Sequence, residues 1–201
     1  DVSKAIDAKN LIETTVNNYG GVDVLFNNAG ISMAKPVHEF TEDDWDKIIN
    51  TNLKGVFLCS KYAIPYMISQ GGGSIINTAS IWSFNAYPGF SLYCASKGGV
   101  LLLTRAMAID LAPYNIRVNC VCPGAVDTEQ VRGSLKFFQD PEKAWRNFVD
   151  THPIRRIGKP EEIGKAVLFL ASDDASWITG ADLSIDGGRK ARDRSLHDIS
   201  T

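Results

Sequence analysis

The chain of 201 residues is long enough for one domain with a hydrophobic core, and its apolar fraction of 44% and charged fraction of 22% are ordinary for a globular protein. A formal net charge of -2 gives no electrostatic basis for binding nucleic acid or an anionic membrane, and the longest apolar runs, such as 100–103, are too short to span a bilayer. The composition therefore predicts neither a nucleic-acid nor a membrane partner.

The N-terminal part of the chain predicts a helix and then a buried strand. Ser3 is a candidate N-cap for a helix that continues to about Tyr19, where Gly20 and Gly21 supply a stop. The short apolar run VDVLFNNAG at 22–30 is typical of a buried strand that ends in a tight loop.

A long helix and a second strand are expected next. Thr41 and Asp44 together resemble a capping box, with Asp in the place of the usual Glu. They begin a helical pattern that continues to about Ser69, with an irregularity expected before Pro65. The run GSIINTAS at 73–80 then predicts the second strand.

The second half of the chain alternates in the same way. A helix is predicted at 93–112, a strand at 116–124, a helix at 160–171 and a last strand at 181–188. The segment 128–157 has no strand period and carries several aromatic side chains, so we expect short mobile helices over a cleft there. The aromatic residues of this segment are Phe137, Phe138, Trp145 and Phe148.

Strands that alternate with helices of this length predict an α/β fold, a Rossmann-like doubly wound parallel sheet with helices on both faces. Residues 1–188 are expected to form a single domain. The tail at 189–201 is polar and basic, which favours a solvated, partly disordered end over a specific binding arm.

The cysteines and histidines do not have the spacing of a metal site. The four cysteines form no C-x-x-C pair, and Cys120 and Cys122 fall within one predicted strand, where both thiols would face the same way. His38, His152 and His197 are scattered along the chain. We therefore assign no metal, and we interpret the cysteines as buried thiols of a protein in the reducing cytoplasm.

Tyr93 and Lys97 are the first candidates for chemistry. Four residues of α-helix turn by about 400° and rise by about 6 Å, so both side chains lie on one helix face. A free tyrosine has a pKa of about 10, and a nearby ammonium lowers that pKa towards use as a general acid/base. By itself the pair is weak evidence, because this spacing is common on solvated helix faces.

The neighbouring segments strengthen the functional interpretation. Ser80 lies 13 residues before Tyr93, at the end of a predicted strand. The loops at 27–30 and 122–124 end two other predicted strands at the same edge of the sheet, where ligands bind in open α/β folds. A turn-capping role is the alternative for Ser80, but its position opposite Tyr93 favours a substrate contact.

With these motifs the sequence resembles the classical short-chain dehydrogenase/reductase family, over nearly the whole chain apart from the tail. Family motifs occur in order as NNAG at 27–30, NLKG at 52–55, the serine at 80, YCASK at 93–97 and PGAVDT at 123–128. The ending ITGADLSIDGG at 178–188 also resembles the family's last strand. Each motif alone is modest evidence, but five in order argue strongly against chance.

The resemblance implies an NAD(P)-dependent oxidoreductase that interconverts a secondary alcohol and a ketone by hydride transfer. Tyr93 would act as the general acid/base on the substrate oxygen, and Ser80 would hydrogen-bond that oxygen. Lys97 would hold the nicotinamide ribose and lower the pKa of Tyr93. Asn52 would hold a water of a proton relay, the alternative being an ordinary packing residue within a helix.

The resemblance also implies a set of contacts to the cofactor, which is NAD or NADP. Asp1 and Val2 would touch adenine, residues 28–30 would line the adenosine side, and Val126 and Thr128 would contact the carboxamide. The complete set is Asp1, Val2, Asn28, Ala29, Gly30, Tyr93, Lys97, Pro123, Gly124, Val126 and Thr128.

For partners, the resemblance implies a small alcohol or ketone substrate and a homotetramer built through the predicted helices at 41–69 and 93–112 and the last strand. Some of the aromatic side chains between Ser80 and Tyr93 are expected to line the substrate pocket, core packing being the alternative for each. These residues are Trp82, Phe84, Tyr87 and Phe90.

One part of the family pattern has no match. The first βαβαβ unit, with its glycine-rich pyrophosphate turn, is missing, and the glycines at 71–73 precede a strand and cannot replace it. We therefore expect an incomplete sequence of a working enzyme, in which residues 1–201 alone bind nicotinamide cofactor weakly or not at all; micromolar binding by calorimetry would contradict this. The alternative is a truncated, non-catalytic relative that serves as an interaction or scaffold subunit, against which the retained Ser80, Tyr93 and Lys97 argue.

Overall fold

A computed structural model describes residues 1–192, so that most of the predicted tail, residues 193–201, lies outside the described residues. The helices are α1 (Ala5–Tyr19), α2 (Glu42–Ile49), α3 (Gly55–Ser69), α4 (Ser91–Leu111), α5 (Glu129–Ser134), α6 (Pro141–Asp150) and α7 (Pro160–Ala171). The strands are β1 (Val24–Asn27), β2 (Gly73–Thr78), β3 (Ile116–Pro123) and β4 (Asp182–Ile185).

These strands form one parallel sheet in the order β1-β2-β3-β4. Parallel neighbours need a crossover connection, and the helices between strands supply it. Helices α3 and α4 pack on one face of the sheet, and α7 packs on the other. The predicted Rossmann-like α/β fold, with helices on both faces, is confirmed.

Alternate residues of the central strands supply the two halves of the core. Ile75 and Val118 are buried against α1, α3 and α4, whereas Ile76 and Val121 point to the other face and pack on α7. All four are fully buried, and burying one such side chain stabilises a fold by roughly 1.5–3 kcal/mol. Because β3 is buried on both faces, it holds the residues at its carboxyl end firmly in place.

The start of α1 differs from the prediction, whereas its end agrees with it. The N-cap residue is Lys4 and not the predicted Ser3, and its side chain makes no cap hydrogen bond. The hydroxyl of Ser3 donates to the Asp1 carboxylate at 2.7 Å and so does not cap the helix. At the other end, Gly20 adopts a left-handed conformation with φ of 86°, and its N–H donates to the carbonyl of Val16.

The predicted long helix is interrupted at a different place from the one expected. The Thr41 hydroxyl accepts the Asp44 N–H, and the Asp44 carboxylate accepts the Thr41 N–H, which confirms the capping box. Pro65 lies inside α3, and the irregularity is a π-helical turn at Asn50–Lys54. Such π turns often occur at functional sites, and this one contains Asn52.

Helix α4 crosses the middle of the sheet. By length and composition alone, Ser91–Tyr114 is long and apolar enough to cross a membrane, with a mean hydropathy of 1.2. In this fold the helix packs against β2 and β3. Its buried face includes the polar side chains of Lys97 and Thr104, which point into the protein. These contacts are those of a core helix.

The first residues of the predicted tail lie against the domain. The ammonium of Lys190 lies 3.5 Å from the ring centroid of Phe84 and 3.4 Å from the Asp182 carboxylate. Arg192 donates to the carbonyl of Asp150 at 2.7 Å. Residues 189–192 therefore belong to the packed surface near the carboxyl end of β4.

Candidate active site

The segments that follow β1, β2 and β3 meet at one edge of the sheet, as expected for the carboxyl ends of parallel strands. A cavity of about 90 Å³ opens there. It is lined by Ser32, Ser80, Ile81, Trp82, Phe90, Tyr93, Gly124, Ala125, Gln130, Val131, Ser134, Phe148 and Arg189. The predicted pair Ser80 and Tyr93 thus shares one cavity wall.

Ser80 caps a turn and lines the cavity together with Tyr93, and its contact with a substrate stays a prediction. Its hydroxyl oxygen accepts the N–H of Trp82 at 3.1 Å, which caps the short 3₁₀ turn Ile81–Ser83, and its side chain is close enough to Tyr93 to oppose the rise in the pKa of that hydroxyl. The Ser83 hydroxyl then donates to the carbonyl of Lys97 at 2.8 Å. The turn that carries Ser80 is thereby tied to the helix that carries Tyr93.

The electrostatics of Tyr93 differ from the expectation. Burial raises the pKa of Tyr93 to about 12, against the opposing effect of the nearby Ser80 side chain. The Lys97 ammonium lies 5.7 Å from the Tyr93 ring centroid, and it donates instead to the carbonyl of Thr78 at 2.6 Å. The expected lowering of the tyrosine pKa by Lys97 is therefore absent, and the hydroxyl is a proton donor at neutral pH.

Lys97 is a buried amine, only 3% exposed. Burial lowers its pKa to about 8, although nearby thiols of Cys122 and Cys120 oppose that shift. A Cβ built on Gly30 would lie 3.5 Å from the Lys97 nitrogen, so the amine faces the loop after β1. Lys97 therefore lies between the cavity and the segment expected to contact a cofactor.

Asn52 joins the same loop to α4. Its amide oxygen accepts the N–H of Ile31 at 2.8 Å, and its amide nitrogen donates to the Ile31 carbonyl at 2.9 Å and to the Ser96 hydroxyl at 3.0 Å. The side chain is fully buried in the π turn. Asn52 therefore positions the loop after β1, beyond packing within its own helix.

Comparison with known proteins agrees with this geometry. The family model described as enoyl-(acyl carrier protein) reductase matches residues 1–190. The 3-oxoacyl-[acyl-carrier-protein] reductase of Thermotoga maritima is 44% identical over 180 residues, which is 90% of this chain and 71% of that protein. Dehydrogenase/reductase SDR family member 4 of Homo sapiens is 41% identical over 192 residues, 95% of this chain and 68% of that protein.

Solved structures give the same result. The Thermoplasma acidophilum aldohexose dehydrogenase superposes with a TM-score of 0.92 at 39% identity. The match covers 100% of this chain and 79% of the aldohexose dehydrogenase chain. Levodione reductase superposes with a TM-score of 0.93 at 38% identity, and the match covers 96% of this chain and 76% of the levodione reductase chain. The chain belongs to the classical short-chain dehydrogenase/reductase family. Its relatives are oxidoreductases, and it is an enzyme of that class.

The residues assigned to the adenosine side of a short-chain dehydrogenase/reductase site lie together. Val2, Asn28 and Ala29 line a second crevice beside β1. A Cβ on Gly55 would lie 2.8 Å from the Val2 side chain, so the glycine lets α3 approach Val2. The Thr78 hydroxyl donates to the Asn28 side chain at 3.0 Å, which connects the crevice with β2. The apolar side chains of Val2 and Ala29 beside the Asn28 amide fit a flat adenine ring, whereas residues 1–192 contain no glycine-rich turn for the pyrophosphate of a dinucleotide.

The remaining assigned residues have local roles of their own. The carboxylate of Asp1 accepts the N–H of Ser3 at 3.0 Å, at the start of the chain. Val126 is 8% exposed and pairs with Gly158. The Thr128 hydroxyl accepts the N–H of Val131 at 3.3 Å and caps α5. Contacts of these residues with a cofactor stay predictions.

His152 is the functional candidate that sequence reasoning missed. It is 2% exposed; its Nε2 accepts the N–H of Ala125 at 3.1 Å, and its Nδ1 bonds the carbonyl of Phe148. That pattern requires a neutral ring with the proton on Nδ1. Burial lowers the pKa of His152, which favours this neutral form. Nothing in the spacing of the histidines marks His152, because its partners are backbone groups.

The loop that follows β3 depends on that histidine. A Cβ on Gly124 would lie 2.7 Å from the His152 Nε2 and 3.0 Å from the Asp186 Cα. Only glycine therefore fits between α6 and the end of β4. His152 and Gly124 together fix the path of the PGAVDT segment past the cavity.

The predicted aromatic residues divide between the cavity and its surroundings. Trp82 and Phe90 line the cavity, with ring centroids 4.9 Å apart, and Tyr87 stacks on Trp82 at 4.9 Å. Phe148 closes the cavity from α6. Three others lie elsewhere: Phe84 under Lys190, Phe138 against Phe148, and Trp145 under Arg132. The side chain of Phe137 lies outside the described parts of the structure.

Helices α5 and α6 form the cover over this cavity, as predicted for the segment 128–157. The side chain of Gln130 donates to the Ser32 hydroxyl at 3.3 Å, so α5 is joined to the loop after β1 across the cavity.

The predicted same-side arrangement of Cys120 and Cys122 is confirmed, with their sulfurs 4.0 Å apart in the core. Among residues 1–192, no group of three His, Cys, Asp or Glu side chains could hold a metal ion.

Proposed function

We propose that the protein is an NAD(P)-dependent oxidoreductase that interconverts a secondary alcohol and a ketone, with Tyr93 as the general acid/base. The observation that carries this proposal is that Tyr93 and Ser80 line the same cavity, where Ser80 is close enough to affect the pKa of the Tyr93 hydroxyl. Membership of the short-chain dehydrogenase/reductase family supports it, as do relatives named as reductases and dehydrogenases. The cofactor, when bound, supplies or accepts the hydride.

Tyr93 and Ser80 act together on the substrate oxygen. With its pKa raised to about 12, Tyr93 stays protonated at neutral pH and donates its proton to the oxygen of a ketone as that oxygen gains negative charge. Ser80 hydrogen-bonds the same oxygen and fixes its position. In the direction of oxidation, Tyr93 must first lose its proton before it can accept the proton of the alcohol, and the raised pKa makes that loss unfavourable at neutral pH.

Lys97 and Asn52 serve the proton path in this proposal. Lys97 has a pKa of about 8, so its ammonium can release a proton near physiological pH, and its position beside Gly30 suits contact with ribose hydroxyls. Asn52 fixes the Ile31 backbone beside it and would hold the relay water from that place.

The proposed assembly is a cytoplasmic homotetramer. The outward faces of α3 and α4 expose Phe57, Leu102 and Ile109, with 65% of Leu102 and 77% of Ile109 accessible. Near β4, Leu168 is 69% exposed and Trp177 98% exposed. Exposed apolar groups on two separate surfaces favour two kinds of contact between subunits, as a tetramer with more than one twofold axis requires. Light scattering of the purified full-length protein tests this assembly.

Substitution of Tyr93 tests the reaction. In the full-length protein, Tyr93→Phe should lower kcat for ketone reduction by about 10²–10⁴-fold, because it removes the proton donor and little else. Cofactor affinity should change by less than about twofold, because the substitution removes one hydroxyl group and leaves the other side chains of the site in place. The matched control is Tyr114→Phe, at a tyrosine 48% exposed beyond the C-terminal end of α4. Retention of most activity by Tyr93→Phe would refute the assigned role.

A further inference from the structure

The imidazole of His152 is bonded at both of its nitrogens to residues that line the active-site cavity. Its Nε2 accepts the N–H of Ala125 at 3.1 Å, and its Nδ1–H donates to the carbonyl of Phe148. Ala125 belongs to the loop after β3, Phe148 belongs to the cover helix α6, and both residues line the cavity. A single buried ring therefore joins two parts of the cavity wall that come from different elements.

The His152 side chain is packed between that loop and the turn after β4. It is 2% exposed, and a Cβ built on Gly124 would lie 2.7 Å from its Nε2. A Cβ built on Gly187, in the turn after β4, would lie 3.6 Å from the His152 Cβ. The loop and the turn therefore hold the imidazole in place, and α6 takes its position relative to the loop from it.

The cover is joined to the rest of the domain by hydrogen bonds in different surroundings. The bond from Gln130 to Ser32, at 3.3 Å, and the bond from Arg192 to the carbonyl of Asp150, at 2.7 Å, are exposed. The bond from His152 to the Phe148 carbonyl is instead buried. Water readily replaces an exposed bond but not a buried one, so the His152 bonds have the greater effect on the position of α6.

Charged groups of both signs lie around His152. Burial lowers the pKa of His152; a backbone hydrogen bond and the Asp186 carboxylate oppose that shift, and Arg189 adds to it. His152 and Asp186 also line a second cavity, of about 270 Å³, together with Arg156 and Glu162, which pair through two bonds of 2.6 and 2.8 Å. The ring is therefore neutral at pH 7 and borders a cavity through which a proton can reach it in acid.

We propose that His152 is a positioning residue for substrate binding, which holds the cover helix α6 to the loop after β3 while its ring is neutral and releases α6 when the ring is protonated. An imidazolium has no acceptor nitrogen, so a proton on Nε2 would set two N–H groups against each other at Ala125. Release of α6 opens the side of the cavity that Phe148 closes. The effect on turnover rests on the proposed function, whereas the movement of α6 does not.

Amide hydrogen exchange of the full-length protein, followed by mass spectrometry, tests the movement. Exchange is measured at pH 7, 6 and 5 and is divided by the rates of the same peptides in the unfolded chain, which removes the intrinsic effect of pH. In wild type, protection of α6 and of residues 124–128 should fall by about 5- to 10-fold from pH 7 to pH 5. His38→Asn, at an exposed histidine, is the matched control and should behave as wild type does.

Two substitutions of His152 distinguish its bonding from a general packing role. The amide oxygen of His152→Gln can accept the Ala125 N–H and does not titrate, so its protection should stay near the wild-type value of pH 7 at every pH. His152→Ala should have low protection at every pH. If His152→Ala does not fold, the pH series of wild type and His152→Gln decide. Protection in wild type that is independent of pH, or that falls equally in His152→Gln, would overturn the proposal.

Kinetics with two neutral ketones, acetophenone and cyclohexanone, separate this inference from the proposed function. The pKa values of Tyr93 and Lys97, about 12 and about 8, leave both groups protonated from pH 7 to pH 5. Over this range KM should rise by about 5- to 10-fold in wild type, with kcat within about twofold, and KM should stay constant in His152→Gln.

The outcomes of the two measurements differ for the two proposals. Release of α6 in acid without reduction of either ketone supports the positioning of α6 by His152 and counts against the proposed function. Reduction with a KM that is independent of pH supports the proposed function and overturns the role of His152 in substrate binding. Release of α6 together with a rise in KM, both absent from His152→Gln, supports both proposals.

Discussion

The centre of the sheet and its β1 side are built differently. Strand β3 has a neighbour on each side and is buried along most of its length, whereas β1 pairs with β2 alone among residues 1–192 and leaves Val24 46% and Phe26 38% exposed. Ser80, Tyr93 and Lys97 take their positions from β2 and α4, in the well-packed part. The loop after β1, assigned to the cofactor, instead depends on hydrogen bonds for its position.

A buried polar chain connects the two regions. The side-chain amide of Asn27 donates to Ser60 at 3.2 Å and to Asn77 at 2.9 Å, and Asn77 donates to Thr104 at 2.9 Å. The chain of bonds thus extends from the last residue of β1 to α4. Because buried polar groups are costly without partners, this network and the Asn52 contacts hold the cofactor loop in register with the catalytic residues.

The strongest test of the central region is Lys97→Met in the full-length protein. We expect kcat/KM to fall by about 10²–10⁴-fold, through loss of the proposed ribose contact and proton path. Stability should increase, because burial lowers the Lys97 pKa from 10.5 to about 8 and the ammonium therefore destabilises the fold.

The stability gain of Lys97→Met over wild type should depend on pH. The unfolded chain binds more protons than the folded one between pH 8 and 10.5, so wild-type stability rises with pH in that window relative to Lys97→Met. The gain should be greatest below pH 8 and should shrink towards pH 10.5, as measured by urea unfolding across this range. A gain that is independent of pH would contradict a buried ammonium.

The connection between the two regions is tested by Asn52→Ala. This change leaves the N–H and the carbonyl of Ile31 without their partners, and we expect it to cost about 1–3 kcal/mol in the free energy of unfolding by urea. The control is Asn10→Ala, at an exposed position of α1 that should lose almost nothing. Equal stability of the two variants would mean that the Ile31 contacts do not hold the loop.

His152 tests the loop after β3 through pH. Its lowered pKa means that folding favours the neutral ring, so its contribution to stability is complete above the ordinary value of 6.5 and is lost as pH falls through the folded-state pKa. We expect a loss on the order of 1 kcal/mol. Thermal unfolding from pH 7 to pH 5 should show this loss in wild type and in His38→Asn, the exposed control, but not in His152→Gln.

The smallest expected effect concerns the two strands themselves. Amide hydrogen exchange should be slower along β3 than along β1, because one edge of β1 has no neighbouring strand among residues 1–192. Mass spectrometry of exchanged peptides measures this difference directly. Equal protection of Phe26 and Val121 would remove the contrast between the regions.

Much of the fold could be predicted because the signals were local. Strand and helix periods gave the order of elements, and a capping box with its own side chains marked the start of α2 at Thr41. The misses depend on tertiary contacts. Asp1 competes for the hydroxyl of Ser3, and the contacts of Asn52 with Ile31 accompany a π turn that no sequence period marks.

The candidate site shows the same division. Motif spacing brought Ser80, Tyr93 and Lys97 together, as the cavity and the contacts around it show. The direction of the Tyr93 pKa shift was wrong, because burial outweighs the charge of Lys97 and only the packed structure reveals burial. His152 was missed because it binds backbone groups, and Arg189 because it lies in a segment whose composition is that of a solvated tail.

Gly124 has a consequence for how this enzyme can vary. It lies between His152 and Asp186, with room for no side chain. Three segments far apart in sequence are therefore in close contact at this point. A substitution at any of the three positions changes the space available to the other two. Variants at these positions should therefore be non-additive, and a change tolerated at one of them should alter which residues the others accept.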